Sequence, residues 1–265
     1  MPLPKFVVIG APRCGTRWIS QCLSEHPQIA VPKDEVYYFT TRRIVHSFWY
    51  KGLQWYSNIF DKIIGPDTVT WGEVTPVYLY EEDTPQRMYD TIPEAKIICC
   101  VRDQYDRAYS WYLFFLAHNY AISKTKYTFR SFLTYCNQVF ASEGFYLDHI
   151  RRYLDFYPTQ SIVAMCYDDL VDNPVSFIQR IYQFLGVDSS FSPASVSSRI
   201  NCTEMPKQTF MPRFLFHDSR NERWHQKDDD IRKMMLRIFR EHNKELGEYL
   251  GRELSHWNSG ESGKK

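Results

Sequence analysis

The sequence contains no apolar run of the about 18–20 residues that a membrane-spanning helix requires. Net charge is almost absent too, because 32 lysines and arginines offset 31 aspartates and glutamates to leave +1. We therefore expect neither a nucleic-acid partner nor a membrane partner. The opening residues Met-Pro-Leu-Pro-Lys lack a secretory signal pattern, and we expect a cytoplasmic protein.

Paired cysteine motifs are also missing. The seven cysteines are an odd number without a Cys-x-x-Cys pair, so neither a disulfide framework nor a zinc site is indicated. We expect reduced thiols and no metal. Aromatic residues, by contrast, make up 17% of the 265 residues, which predicts a core and a cleft rich in rings.

Apolar strand-like runs alternate with helical segments along the chain. Residues 6–9, 95–101 and 161–166 have the length and β-branched content of buried parallel strands. A helical pattern follows the first loop and ends near His26-Pro27, and others follow at 105–118, 144–157, 174–185 and 228–250. Residues 28–60 have the pattern of short helices and loops, and 188–227 lack a clear period. The alternation predicts an α/β fold, a single P-loop-like domain with a central parallel sheet flanked by helices. We expect this domain to span residues 1–257 and a disordered polar tail to span 258–265.

The turn after the first strand has the features of an anion-binding loop. Gly10 and Gly15 have the spacing of the phosphate-binding loop of nucleoside triphosphatases, but Thr16 stands where those proteins have lysine. The cation of the loop is instead Arg13. A strand that runs through such a loop into a helix aims backbone N–H groups and the positive end of the helix dipole at one point, which suits a phosphate.

Three segments together resemble the sulfotransferase family, whose enzymes use 3′-phosphoadenosine 5′-phosphosulfate (PAPS). Residues 10–16 look like the family's 5′-phosphosulfate loop, residues 101–110 like its 3′-phosphate motif, and residues 246–257 like the C-terminal helix of bacterial and glycan-type members. Segments 34–39, 52–56 and 72–76 fit in the same order. The resemblance covers nearly the whole chain and implies a PAPS-dependent sulfotransferase that releases 3′-phosphoadenosine 5′-phosphate (PAP) without a metal.

The resemblance also implies which residues bind PAPS. The 5′ side would be bound by Arg13, Cys14, Gly15, Thr16, Arg17 and Trp18, and the 3′-phosphate by Arg102 and Ser110. Arg13 replaces the lysine of many members and would stabilise charge on the transferring group. A loop salt bridge remains the alternative for Arg13. Pairing of Arg102 with Asp103 or Asp106 is the alternative for Arg102.

The catalytic base is expected to be Glu35. It matches the catalytic glutamate of glycan-type members, and a base that removes the acceptor proton contributes about 10²–10⁴-fold. His46 and His118 are rivals because small-molecule members use a histidine. Glu73 either supports the site or caps the local structure.

The acceptor side of the site departs from the glycan-type pattern. Asp34 and Val74 stand where those members have lysine, so positive charge is lost where a sulfated polysaccharide would lie. We therefore expect a small, even cationic, acceptor such as a secondary metabolite, sulfated on a hydroxyl or an amine. The candidate acceptor-binding residues are Asp34, Tyr37, Tyr38, Trp49, Glu73 and His118, although core packing explains each ring equally well.

Two other functions remain open. One is an ATP-dependent P-loop kinase acting on a small molecule, which the missing lysine after Gly15 disfavours. The other is a non-catalytic nucleotide-binding module. The sequence does not indicate the oligomeric state.

Overall fold

The structure is a computed structural model that describes residues 1–40, 47–118, 129–198 and 222–258, without the side chains of 115–118, 135–140 and 222–228. The chain divides into two compact units. One consists of Met1–Arg102 with Asp148–Asn201, and the other of Asp103–Leu147 with Cys202–Lys265. The sheet belongs to the first unit, and the described part of the second is helical.

A five-stranded sheet forms the centre of the first unit. Its strands are β1 (Phe6–Gly10), β2 (Ile29–Ala30), β3 (Thr70–Val74), β4 (Lys96–Val101) and β5 (Ile162–Cys166), in the order β2-β3-β1-β4-β5. All neighbouring strands are parallel. This confirms the predicted α/β class with a parallel sheet flanked by helices. In such a sheet, ligands bind beyond the carboxyl ends of the strands, where the strand order reverses on either side of β1.

The apolar runs correctly predicted β1, β4 and β5, but β2 and β3 were missed. Strand β3 has the sequence Thr-Trp-Gly-Glu-Val, which is neither apolar nor alternating. Gly72 is needed there because a Cβ atom would lie 2.2 Å from the Phe6 carbonyl oxygen of β1. Glu73 is fully buried, which no local pattern indicates.

The helices in the described part of the chain are α1 (Thr16–Glu25), α2 (Gly52–Asp61), α3 (Thr84–Thr91), α4 (Gln104–His118), α5 (Phe129–Glu143), α6 (Tyr146–Leu154), α7 (Tyr167–Asp172), α8 (Pro174–Leu185), α9 (Glu222–Leu250) and α10 (Ser255–Asn258). Helix α8 begins and ends where the sequence predicted. The Asn173 side chain accepts a hydrogen bond from the Ser176 amide at 3.0 Å, and Gly186 (φ 81°) ends the helix. Helix α6 is shorter than predicted, and α9 begins six residues earlier.

Aromatic side chains join the helices of the first unit to each other and to the sheet connections. The Tyr182 hydroxyl of α8 donates to the Cys22 carbonyl of α1 at 2.9 Å, and the rings of Trp18 and Phe177 meet edge to face. The Tyr153 hydroxyl of α6 donates to the Tyr78 carbonyl at 2.8 Å. Each buried hydroxyl therefore satisfies a carbonyl and leaves its ring to pack.

The second unit has a core of its own. Its buried cluster comprises Ala108, Tyr112, Phe129, Phe132, Leu133, Ile231, Met235 and Phe239. Arg107 and Glu143 form a buried ion pair at 3.0 Å, and Gln104 donates to Asn243 at 2.6 Å. Asn258, expected in the tail, lies instead in α10 and accepts a hydrogen bond from Asn243 at 3.2 Å. Residues 259–265 of the predicted tail lie outside the described residues.

Five of the seven cysteines belong to the described side chains, and all five are buried and free of disulfides. Within the same part of the chain, no helix combines the length and apolar character needed to cross a membrane. No group of three or more histidine, cysteine, aspartate or glutamate side chains suited to a metal ion occurs among the described residues.

Candidate functional site

The loop between β1 and α1 leaves the sheet at the predicted edge. The register between β1 and β4 shifts between Val8 and Gly10, and the Ala11 amide then donates to the Cys100 carbonyl at 2.8 Å. The Cys14 amide donates back to Ala11 at 3.2 Å. The loop is thus fastened to the end of β4, directly before Arg102.

Two residues of this loop lie in the left-handed region of backbone conformation. Gly15 has φ 85°, which suits glycine, but Arg13 has φ 68°, which costs a residue with a side chain about 1–3 kcal/mol. Such conformations cluster at ligand sites. Gly15 has a second constraint, because a Cβ atom there would lie 2.6 Å from the Leu170 side chain of α7.

The N-terminus of α1 offers backbone donors to an anion. No side chain caps it among the described residues, and the first amide to bond within the turn is that of Ile19, which donates to Gly15 at 3.0 Å. The amides of Thr16, Arg17 and Trp18 precede it, in the first turn, where backbone amides have no hydrogen-bond acceptor within the helix. With the dipole of α1, they form an anion-binding end.

Arg13 and Arg102 lie side by side at this edge. The Arg102 guanidinium donates to the Arg13 carbonyl at 3.5 Å and stacks on the ring of Tyr167, 4.4 Å from its centroid. Burial and the Arg102 charge lower the pKa of Arg13, in that order of importance. The Arg102 charge thus acts on Arg13, and two arginines at one edge of the sheet suit the binding of a multiply charged anion.

The side chain of Glu35 is exposed to solvent. Desolvation raises the pKa of Glu35, whereas a hydrogen bond from the Tyr37 side chain and the positive charge of Arg17 lower it. Arg17 belongs to the first turn of α1. The structure thus brings the predicted base within electrostatic reach of the anion-binding end.

Glu73 in β3 is fully buried. The Thr75 hydroxyl donates to the carboxylate at 2.6 Å, the Tyr56 hydroxyl donates to it as well, and the Tyr78 hydroxyl approaches both oxygens at 3.4 and 3.5 Å. Burial raises the pKa of Glu73 to about 7 against these hydrogen bonds, and Glu35 adds to the rise. The buried carboxyl group of Glu73 is therefore surrounded by three hydroxyl groups.

The predicted acceptor-binding rings separate into two groups. Tyr38 is 2% exposed and stacks on Tyr56 at 4.1 Å between centroids, which favours the packing interpretation for that ring. Trp49 is 38% exposed and lies 5.1 Å from Tyr38, and Tyr37 is half-buried with φ 53°. Trp49, Tyr37 and the exposed Asp34 thus retain the access that an acceptor contact requires.

The remaining predicted residues lie in several places. Cys14, Thr16 and Trp18 have buried side chains at the loop and in α1. Ser110 lies half-buried on α4 of the second unit, eight residues after Arg102. The side chain of His118 and the whole of His46 lie outside the described residues.

Sequence reasoning missed Tyr167 and the three hydroxyls around Glu73. Tyr167 directly follows β5, so its place at the carboxyl end of a parallel strand was an available signal. The hydroxyl cluster had no such signal, because Tyr56 comes from α2 whereas Thr75 and Tyr78 follow β3.

Comparison with known proteins agrees with this geometry. A family profile described as "Sulfotransferase domain" matches residues 3–245. The human bifunctional heparan sulfate N-deacetylase/N-sulfotransferase 2 is 29% identical over 277 residues, which cover 94% of this chain and 30% of that protein. The mouse bifunctional heparan sulfate N-deacetylase/N-sulfotransferase 4 is 27% identical over 283 residues, 96% of this chain and 31% of that protein. This chain therefore spans about a third of the length of these curated relatives.

A solved structure shows the same fold. The crystal structure of a sulfotransferase from Alicyclobacillus acidocaldarius superposes with a TM-score of 0.75, at 23% identity, over 97% of this chain and 99% of that one. The similarity of fold therefore extends over nearly the whole chain.

Substitution of Gly15 tests the anion loop. We expect Gly15→Ala to weaken the binding of PAP by about tenfold or more, because the new methyl group displaces the loop and the left-handed backbone is strained. Isothermal titration calorimetry measures the affinity. Gly52→Ala is the matched control, since Gly52 has φ 76° with no atom within 4 Å of the added Cβ atom. Equal losses of PAP affinity in the two variants would contradict the assignment.

Proposed function

Because the chain belongs to the sulfotransferase family, whose members use PAPS and release PAP, we propose that it transfers the sulfuryl group of PAPS to a hydroxyl or amine of a small-molecule acceptor, with Glu35 as the base. One observation carries the proposal. Glu35 lies within electrostatic reach of Arg17 in the first turn of α1, the helix whose N-terminus completes the loop of Arg13 and Gly15. The candidate base and the candidate anion site are therefore close enough to interact electrostatically.

The residues of the loop fit the donor. Gly15 adopts the left-handed conformation and packs closely against Leu170, which holds the loop in the turn that directs the first amides of α1 toward a phosphate. The amides of Thr16, Arg17 and Trp18 and the Thr16 hydroxyl would bind the 5′ side, and Arg13 would stabilise the charge on the transferring group. Arg102, held on Tyr167, would bind the 3′-phosphate, and the role of Ser110 stays a prediction from the sequence motif. When bound, PAPS supplies the electrophilic sulfuryl group and the nucleotide leaving group.

Glu35 supplies the proton transfer in this proposal. Its carboxylate would take the proton from the acceptor oxygen or nitrogen and so make a weak nucleophile competent. A raised pKa suits that role, since a carboxylate with the ordinary pKa of about 4.3 is a poor proton acceptor near neutral pH. The hydrogen bond from Tyr37 would orient the carboxylate toward the acceptor.

The charge around Glu35 supports a small acceptor rather than a polyanion. Asp34 is exposed and negative beside it, and Val74 in β3 is apolar and buried. The curated relatives are named for N-sulfotransfer on heparan sulfate, so an amine of such a glycan is the second candidate. Micromolar binding of heparin-like chains would favour that candidate over a small molecule such as a secondary metabolite.

Truncation of Arg102 tests how the donor is recognised. We expect Arg102→Ala to weaken binding of PAP by about tenfold, the loss of one charge-assisted contact, while the affinity for adenosine 5′-monophosphate stays unchanged. Arg13→Ala should weaken the binding of both nucleotides. Calorimetry with the two nucleotides measures this difference. Equal losses for both nucleotides in Arg102→Ala would assign Arg102 to a different role.

Neutralisation of Glu35 tests the chemistry. A screen of hydroxylated and amino compounds with PAPS, read by mass spectrometry as the gain of one SO₃ group, first identifies an acceptor. We then expect Glu35→Gln to lower kcat by about 10²–10⁴-fold with PAP affinity retained, because only the proton transfer is lost. Glu94→Gln, an exposed glutamate before β4, is the matched control.

Other outcomes of that assay separate the alternatives. Turnover of ATP with Mg²⁺ but not of PAPS would identify a kinase. Binding of PAP without transfer to any compound of the screen would point to a non-catalytic module. Full activity of Glu35→Gln would exclude Glu35 as the base.

The pH dependence of kcat tests the environment of Glu35. A general base must be ionised, so a raised pKa moves the acid limb of the profile to a higher pH than an ordinary glutamate gives. We expect Tyr37→Phe to move this limb further upward, because the lost hydrogen bond normally lowers the pKa of Glu35. Tyr50→Phe, which alters a tyrosine that is 78% exposed, is the control. A limb that is unchanged or lower in Tyr37→Phe would contradict the assignment.

A further inference from the structure

The hydroxyl groups around Glu73 reach beyond it to the backbone next to Glu35. The Thr75 hydroxyl, which donates to Glu73 at 2.6 Å, also accepts a hydrogen bond from the Val36 amide at 3.2 Å. The Tyr78 hydroxyl, which faces both carboxylate oxygens, accepts from the Phe39 amide at 3.1 Å. Each of these hydroxyls therefore connects the buried carboxylate to one amide of the segment 36–39.

Above the raised pKa of Glu73, about 7, the carboxylate is ionised and its charge sets the direction of the hydrogen bonds in this cluster. An ionised carboxylate only accepts, so Thr75 and Tyr78 must spend their single protons on it. Their lone pairs then face the Val36 and Phe39 amides, which can only donate. If the NH₂ group of a glutamine replaced one carboxylate oxygen, the hydroxyl that faces it would have to accept a hydrogen bond. The proton of that hydroxyl would then turn toward the proton of the backbone amide.

The Val36 amide adjoins the proposed base, and the Val36 and Phe39 amides lie on either side of Tyr37. Val36 directly follows Glu35, and between Val36 and Phe39 lies Tyr37, the hydrogen-bond partner of Glu35, in the left-handed conformation (φ 53°). A non-glycine residue keeps such a conformation only where its surroundings hold it. The two bonds hold the backbone on either side of it.

We propose that Glu73 is a positioning residue: through the hydroxyls of Thr75 and Tyr78 it fixes the backbone at Val36 and Phe39, and so sets the position of Glu35 and Tyr37. The inference rests on the proposed role of Glu35 and extends it to a residue that does not touch the acceptor. Glu73 is fully buried, so it holds the backbone at Val36 and Phe39 through these hydroxyl contacts and without touching the acceptor. The carboxylate contributes by its polarity, which an amide of equal size does not reproduce.

The far end of the segment has a second anchor that does not involve Glu73. The buried Glu81 accepts a hydrogen bond from the Thr40 hydroxyl, and the Thr84 hydroxyl donates to the Phe39 carbonyl at 3.2 Å. Loss of Glu73 would therefore loosen the residues next to Glu35 while Thr40 stays anchored. This confines the expected change to a few amides.

Hydrogen exchange tests the proposal without any acceptor. At a pH above 7, we expect the Val36 and Phe39 amides of Glu73→Gln to exchange about tenfold faster or more, because the hydroxyls that accept from them reorient toward the new side-chain amide, while the β1 amides stay protected. Thr75→Val should accelerate exchange at Val36. Tyr56→Phe is the matched comparison, since the Tyr56 hydroxyl donates to Glu73 but contacts no amide of the segment. Unchanged exchange at Val36 and Phe39 in Glu73→Gln, or equal acceleration at Val36 in Tyr56→Phe and Thr75→Val, would overturn the proposal.

Kinetics with the acceptor from the screen tests the consequence for catalysis. We expect Glu73→Gln to lower kcat by about tenfold with PAP affinity unchanged, and to cause no further loss in a Glu35→Gln background, because it acts through Glu35. Thr75→Val should lower kcat in the same way and serves if Glu73→Gln does not fold. Equal losses of kcat in both backgrounds would assign Glu73 a merely structural role. A Glu35→Gln enzyme with full activity would instead refute the proposed base and leave the exchange result standing.

Discussion

Arg13 and Gly15, both in the left-handed region, turn the chain sharply between β1 and α1, and the rest of the site depends on that turn. It points the first amides of α1 at the sheet edge and sets Arg13 beside Arg102 at the end of β4. The close packing of Gly15 on Leu170 fastens the turn to the connection after β5. Strand ends β1, β4 and β5 thus contribute to one anion site, as expected at the edge of a parallel sheet where the strand order reverses.

The site contains two pairs of side chains with like charge, one positive and one negative, and each pair costs free energy. Two arginines lie together against their repulsion, and two glutamates, Glu35 and Glu73, lie near each other with raised pKa values. A bound anion would relieve the first cost, and buried hydroxyl groups offset the second for Glu73. Arg17 connects the two pairs electrostatically, because its positive charge in the first turn of α1 lowers the pKa of Glu35. The arrangement suits a reaction that passes a charged group toward a base.

Much of the fold and part of the site could be predicted from local patterns. The runs at 6–9 and 95–101 are apolar because β1 and β4 are interior strands of the sheet, buried on both faces, and the run at 161–166 forms the partly buried edge strand β5. The loop residues Arg13 and Gly15 and the arginine after β4 were recognisable for the same reason, since they follow a strand directly. Strand β3 was not predictable, because its burial depends on Glu73 meeting hydroxyls from α2 and from the residues after β3. The division into two compact units was equally invisible, since no linker composition marks residue 103.

The sequence by itself determined the class of the sheet, the anion loop and the family, because each depends on residues that are neighbours along the chain. Only the tertiary structure decided that Glu73 is buried and bonded to hydroxyls that hold the backbone beside Glu35, and that Tyr167 supports Arg102. It also separated the buried Tyr38 from the exposed Trp49. The physical reason is that desolvation and hydrogen-bond direction depend on which distant groups surround an atom, and residue order alone does not specify those groups.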